Sequence, residues 1–148
     1  MTDCLTIDAL VPVECHGALL EETVGEAFLG QAPLECFSPL ATGFLADLSG
    51  QILSDPAIRQ FPEFAAFGFW VRRAALDRLA ARHADCGNVL RVPRGMVLHI
   101  APANVDTVFL YSFSLSLLAG NLNVVRLSSR STEQVSLILE HIRRLMQK

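Results

Sequence analysis

Two short stretches of the chain carry side chains suited to chemistry. Pro102-Ala103-Asn104 follows one apolar run, and Arg126-Leu127-Ser128-Ser129 closes another. The amide NH2 of Asn104 suits an oxygen that gathers negative charge during acyl transfer, while its side-chain oxygen equally suits capping of a following helix. Arg126, Ser128 and Ser129 offer a guanidinium and hydroxyls, which fit phosphate and ribose oxygens. The same residues also fit a solvated strand end and a Ser-rich turn. His99 lies within an apolar run, where a hydrogen-bonded core histidine is a plainer expectation than a catalytic base. Tyr111 and Trp70 are expected in the core or an interface. Neither a Walker motif nor GxGxxG is present, and Ala119-Gly120-Asn121 reads as a turn.

These residues must be positioned by regular elements. "MVLHIAP" is apolar almost throughout, the pattern of a parallel strand covered on both faces, and "NVLRV" before it also reads as a strand. "NVDTVFLYSFSLSLLAG" reads as a helix ending at Gly120, "NVVRL" as a strand, and "STEQVSLILEHIRRLMQK" as a final helix capped by Ser131. Strand, helix, strand, helix is a βαβα unit, whose right-handed crossover makes the strands parallel. Ligands of such sheets sit beyond the carboxyl ends of the strands, where both candidate stretches fall.

Upstream, Ser38-Pro39 is a helix start, with a serine cap and proline at the first helical position. A helix over about Pro39 to Leu53 then presents Phe44, Leu45, Leu48 and Ile52 on one face. Asp55-Pro56 opens a short turn or helix. One long helix is expected from about Pro62, with Phe64, Phe67, Val71, Ala75 and Leu79 inward and Cys86-Gly87-Asn88 ending it. Its arginines (Arg72, Arg73, Arg78, Arg82) form either an anion-binding patch or a solvated face with local ion pairs to residues such as Asp77. Met1 to about Phe37 reads as short strands and loops. The division is therefore an N-terminal β/loop segment 1–37, a helical segment 38–87 and an incomplete nucleotide-binding βαβα unit 88–148, an α/β chain overall.

Composition narrows the function classes. The chain has 148 residues, 51% of them hydrophobic and 18% charged, which is enough apolar material for a core. A net charge of −3 offers no basic surface for nucleic acid. Cys4, Cys15, Cys36 and Cys86 sit at wide spacings without CxxC or zinc-type clusters, so no metal site is expected and the thiols read as reduced. The first residues lack a basic start and an apolar stretch, and the longest apolar run, Val105 to Ala119, is too short and too polar for a membrane span. A cytoplasmic protein is expected.

The motifs occur in a recognisable order. "FPEFAAFGFWVRRAALDRL" followed by "RVPRGMVLHIAPANVDTVFLYSFSLSLLAGNLNVVRLSSRS" resembles the LuxC-type acyl-CoA reductases, relatives of the aldehyde dehydrogenase superfamily, over about Ser38 to Lys148. The resemblance implies a partial aldehyde-dehydrogenase-like, Rossmann-type sheet. It also implies reduction of long-chain fatty acyl-CoA to fatty aldehyde with NADPH, through an acyl-cysteine thioester. By it, Asn104 takes the oxyanion role, and Arg126 and Ser129, with Ser128 nearby and Pro102-Ala103 at the neighbouring strand end, hold the cofactor. Arg126 with serines in place of an acid leans toward NADP(H), since an acidic residue would repel a 2′-phosphate. The sequence departs from the family in carrying Asp106 in place of a proline after Asn-Val.

In the family the nucleophilic cysteine lies well C-terminal of the βαβα unit, whereas all four cysteines here precede Asn104. The expectation is an N-terminal part of a reductase, inactive alone and completed by a missing C-terminal part or a partner chain. The alternative is a non-catalytic nucleotide-binding or interaction module acting through a partner. An incomplete sheet leaves an edge and an apolar face to cover, so homo-oligomerisation or partner binding is expected in either case.

Overall fold

A computed structural model describes residues 6–9, 15–19, 24–25, 31–84, 89–101, 107–128 and 132–147. Strands β1 (Thr6–Ala9) and β2 (Cys15–Leu19) pair antiparallel, with an irregularity between Ile7 and Ala9. A helical layer comes next: α1 (Pro39–Ser54), α2 (Pro56–Arg59), α3 (Pro62–Trp70) and α4 (Arg73–Ala84). The remainder alternates β3 (Met96–Ile100), α5 (Val108–Leu118), β4 (Leu122–Arg126) and α6 (Glu133–Met146).

Helix α1 starts where its sequence dictates. Ser38 Oγ accepts the N–H of Ala41 at 3.2 Å, and Pro39 occupies a position whose N–H would have no intrahelical partner. Its Leu45, Leu48 and Ile52 are fully buried, each worth about 1.5–3 kcal/mol of transfer from water. This helix packs against α2, α3, α4, α5 and α6, so it is the centre of the core. The α1–α3 crossing is close: a Cβ on Gly68 would come within 3.1 Å of Ile52 and Leu53 side-chain atoms, and Ser49 Oγ donates to the Gly68 carbonyl at 2.7 Å.

The long helix expected from Pro62 is instead two. Val71 ends α3 with φ −93° and ψ 9°, and α4 begins at Arg73. The break keeps Val71 buried with Phe64 and Phe67 but rotates α4 relative to α3, so that Leu76 is buried while Ala75 and Leu79 are only half-buried. An aromatic cluster stands at the bend, with the Tyr111 ring centroid 5.2 Å from both Phe67 and Trp70. The arginine face takes the solvated form. Arg73 pairs with Asp77 at 3.2 Å and Arg72 lies over the Phe69 ring at 5.6 Å.

Strands β3 and β4 pair parallel, from Met96↔Leu122 to Ile100↔Arg126, with α5 as the connection. Helix α5 is apolar on every side, and it packs between the two strands and α1. Gly120, at φ +84°, turns the chain from α5 into β4. Helix α6 is amphipathic, burying Val135, Ile138, His141 and Ile142 against the helical layer. Its cap is Thr132, whose Oγ1 accepts from the Val135 N–H at 3.4 Å; the expected cap, Ser131, lies outside the described residues.

Two strand expectations are corrected. The "NVLRV" stretch forms no strand over residues 89–92, and Val89, Leu90 and Val92 are exposed. Among the described residues no neighbouring strand takes their backbone groups, and β-forming residues then stay irregular. Nor is β3 covered on both faces: Met96, Leu98 and Ile100 are 55%, 61% and 68% exposed. Val97, His99 and Ala101 alternate to the side of α5, whereas α6 packs on α1 and α2 and leaves the other face open among the described residues.

Candidate functional site

The parallel register brings the two strand exits side by side. Ile100 is paired with Arg126, and the Ala101 N–H extends the ladder by donating to the Arg126 carbonyl at 3.0 Å. Val125 and Leu127 face inward and pack on the core, so Arg126 between them must face outward, and its side chain is exposed. Among the described residues its guanidinium meets no carboxylate. A solvated guanidinium held at the carboxyl end of a parallel strand, with no such partner, is chemically suited to a phosphate group. Ser128 is half-buried two residues on and has a polar partner of its own.

Pro102, Ala103 and Asn104 lie outside the described residues, as do Asp106 and Ser129. Asn104 falls between the end of β3 at Ile100 and the start of α5 at Val108, whose N-cap position is occupied by Thr107 without a side-chain capping bond.

The opposite ends of the strands carry a hydrogen-bond network where the sequence suggests only a turn. Asn121 Oδ1 accepts the Arg94 N–H at 2.6 Å, and Asn121 Nδ2 donates to Ser116 Oγ at 3.3 Å. Asn123 Nδ2 donates to the Asn121 carbonyl at 2.8 Å, which turns its Oδ1 toward His99 Nε2 at 2.9 Å. His99 Nε2 therefore carries the proton and donates, and the ring is a structural strap between strands, as expected of a core histidine. The Asn-Leu-Asn sequence after a helix-ending glycine is the signal for this clamp. It holds the entrances of β3 and β4 so that the exits are set in register.

A second histidine carries no pattern that singles it out. His141 on α6 is buried, with Nδ1 2.8 Å from Gln51 Oε1 and Nε2 3.0 Å from Asp55 Oδ2. Asp55 also caps α2 by accepting the Ala57 N–H at 2.8 Å. These partners join three helices and stand apart from the strand exits. Cys36 is a free, half-buried thiol whose Sγ donates to the Ala119 carbonyl at 3.3 Å, and no cluster of potential metal ligands occurs among the described residues. No described helix is long and apolar enough to cross a membrane.

Comparison with known proteins places this geometry in a family. Residues 70–148, from the last residue of α3 onward and more than half of the chain, match the model of the family described as acyl-CoA reductase (LuxC). No curated protein and no solved structure matches the chain.

Proposed function

The chain belongs to the acyl-CoA reductase (LuxC) family, and we propose that it supplies the cofactor-binding and oxyanion part of an NADPH-dependent fatty acyl-CoA reductase. The reaction is acyl-CoA + NADPH + H+ → fatty aldehyde + CoA + NADP+, by way of an acyl-cysteine thioester. Reductases of this family use a nicotinamide cofactor, which supplies the hydride. Arg126, aided by Ser128 and Ser129, would hold its adenosine phosphate, with Pro102 and Ala103 lining the adjacent strand end. Asn104 would donate its amide NH2 to the thioester oxygen as charge develops there, a contribution on the order of 10²–10³ in rate. The family pattern puts the nucleophilic cysteine after the βαβα unit, and none of Cys4, Cys15, Cys36 or Cys86 follows Asn104, so on this reading a further segment or a partner chain would supply it.

The observation that carries this reading is the Ile100↔Arg126 register, which sets an exposed guanidinium beside the strand end from which Asn104 follows. Mixing the chain with a polypeptide that carries a family-type cysteine segment should restore acyl-CoA-dependent NADPH oxidation. A folded complex of the two without activity would sink the proposal. The open face of Met96, Leu98 and Ile100 supports the second reading, a non-catalytic nucleotide-binding module working through a partner chain. That reading requires NADPH binding with no turnover in any such complex.

A further inference from the structure

The net charge of −3 conceals two opposed parts of the chain. Residues 1–58 hold nine acidic residues and no lysine or arginine, whereas all twelve lysines and arginines and only six acids fall within 59–148. Such a separation gives one chain two surfaces that attract each other.

On the basic side, the run into and along β3 is uncovered. Leu90 and Val92 are 88% and 70% exposed, and Met96 and Leu98 follow on the open face of the sheet. Arg91 and Arg94 stand exposed among them, and the sequence from 89 to 101 contains no acidic residue. Both arginines are held in place: Arg91 Nη1 donates to the His83 carbonyl at 3.2 Å, and the Arg94 N–H donates to Asn121 Oδ1 at 2.6 Å. Fixed cations beside exposed apolar side chains suit an acidic, apolar partner.

The β1–β2 hairpin has that composition. By sequence it and its flanks combine Ile7, Leu10, Val13 and Leu19 with Asp8 and Glu14. Among the described residues its packing is between its own two strands. A two-stranded hairpin is at best marginally stable in water and needs a further layer against its apolar face. Residues 20–33 connect it to Leu34, which is bonded to Gly120 at the entrance corner of the sheet. Fourteen residues reach up to roughly 50 Å, far enough to meet another copy.

Area sets the number of seats. Covering a large apolar side chain removes roughly 60–120 Å2 from water, so Leu90, Val92, Met96 and Leu98 with their counterparts on a hairpin give roughly 500–1,000 Å2, short of a stable interface. Two reciprocal seats give about twice that, within the range of a stable dimer.

We propose that two copies of this chain exchange their acidic β1–β2 hairpins, each seating on the Arg91 and Arg94 end of the β3 stripe of the other copy. The exchange is isologous, so a single twofold axis closes it. The seat is at the entrance half of β3, away from Arg126, and the proposal is independent of the reductase reading.

Sedimentation equilibrium of the whole chain should show a dimer whose dissociation constant rises with salt. Arg91→Glu/Arg94→Glu and, in a second variant, Asp8→Lys/Glu14→Lys should each raise that constant about tenfold or more, with circular dichroism unchanged. Mixing the two variants is decisive. Each alone brings like charges together, whether its hairpin meets a second copy or folds back on its own stripe, whereas one copy of each places opposite charges at both seats. The equimolar mixture should therefore restore a one-to-one dimer. A monomeric unsubstituted chain, a dimer indifferent to both reversals, or a mixture that stays monomeric would each overturn the proposal. Should a double reversal unfold the chain, Arg94→Gln and Asp8→Asn are measured instead; each should weaken the dimer, and unchanged dissociation in both would overturn the exchange.

Discussion

The backbone of Leu34 closes directly over Gly120. Its N–H donates to the Gly120 carbonyl at 2.9 Å, and a Cβ placed on Gly120 would overlap the Leu34 carbonyl oxygen. The segment before α1 is thereby locked to the corner between α5 and β4, and through Asn121 and Asn123 to the sheet that sets Arg126 in place.

Gly120→Ala should therefore be among the most damaging small changes in the chain. Positive φ and the clash with backbone act together, so a loss of about 3 kcal/mol is expected. Urea unfolding measures it, and a loss below about 1 kcal/mol would mean that the corner relaxes easily.

His141→Ala should cost about 2–4 kcal/mol, through the cavity left in α6 and the lost bonds to Gln51 and Asp55. Asp55→Asn, which keeps an oxygen for the α2 cap, should cost less. Equal losses for the two would place the energy in the Asp55 contact and not in the packing of the ring.

Arg126→Glu should weaken NADPH binding by roughly tenfold or more while leaving the melting temperature unchanged, since the side chain is exposed and meets no carboxylate among the described residues. Fluorescence titration at two salt concentrations checks this. Affinity equal to that of the unsubstituted chain would remove Arg126 from the cofactor site.

Asn104→Ala, placed in an assembly that turns over, should lower kcat on the order of 10²–10³-fold with little loss of stability. If the variant instead loses about 1 kcal/mol of stability and keeps its turnover, the side chain has a structural and not an oxyanion role.

Leu98→Lys should change the stability of the isolated chain by less than about 0.5 kcal/mol, because the side chain is 61% exposed. The same substitution should reduce self-association in sedimentation experiments, since it charges an open apolar sheet face. A strongly destabilised monomer would show that this face is covered within the chain.

Much of the architecture is legible in the sequence because local signals agree with one another. Ser38-Pro39 and Asp55-Pro56 start α1 and α2 by satisfying or dispensing with orphan N–H groups, which depends on residues only a few positions apart. The alternation of β3, α5, β4 and α6 follows from apolar periodicity and from Gly120. The break at Val71 is not legible: an uninterrupted helical pattern runs through "FWVRRAAL", and only the aromatic packing with Tyr111, far away in sequence, accompanies the bend. His141 gives no sign of its role either, as Gln51 and Asp55 reach it from helices that become neighbours only in the folded chain.

By itself, then, the sequence determined the starts of α1 and α2, the parallel βαβα order from β3 to α6, the family resemblance and the identity of the candidate residues, since all of these rest on local spacing and residue chemistry. Tertiary structure alone decided which residues act together. It put Arg126 beside Ile100, strapped His99 to Asn123, gathered Arg91 and Arg94 around Cys36 and His83, and left Met96, Leu98 and Ile100 uncovered. Such pairings join positions distant along the chain, and their geometry exists only once packing has fixed the relative placement of the elements.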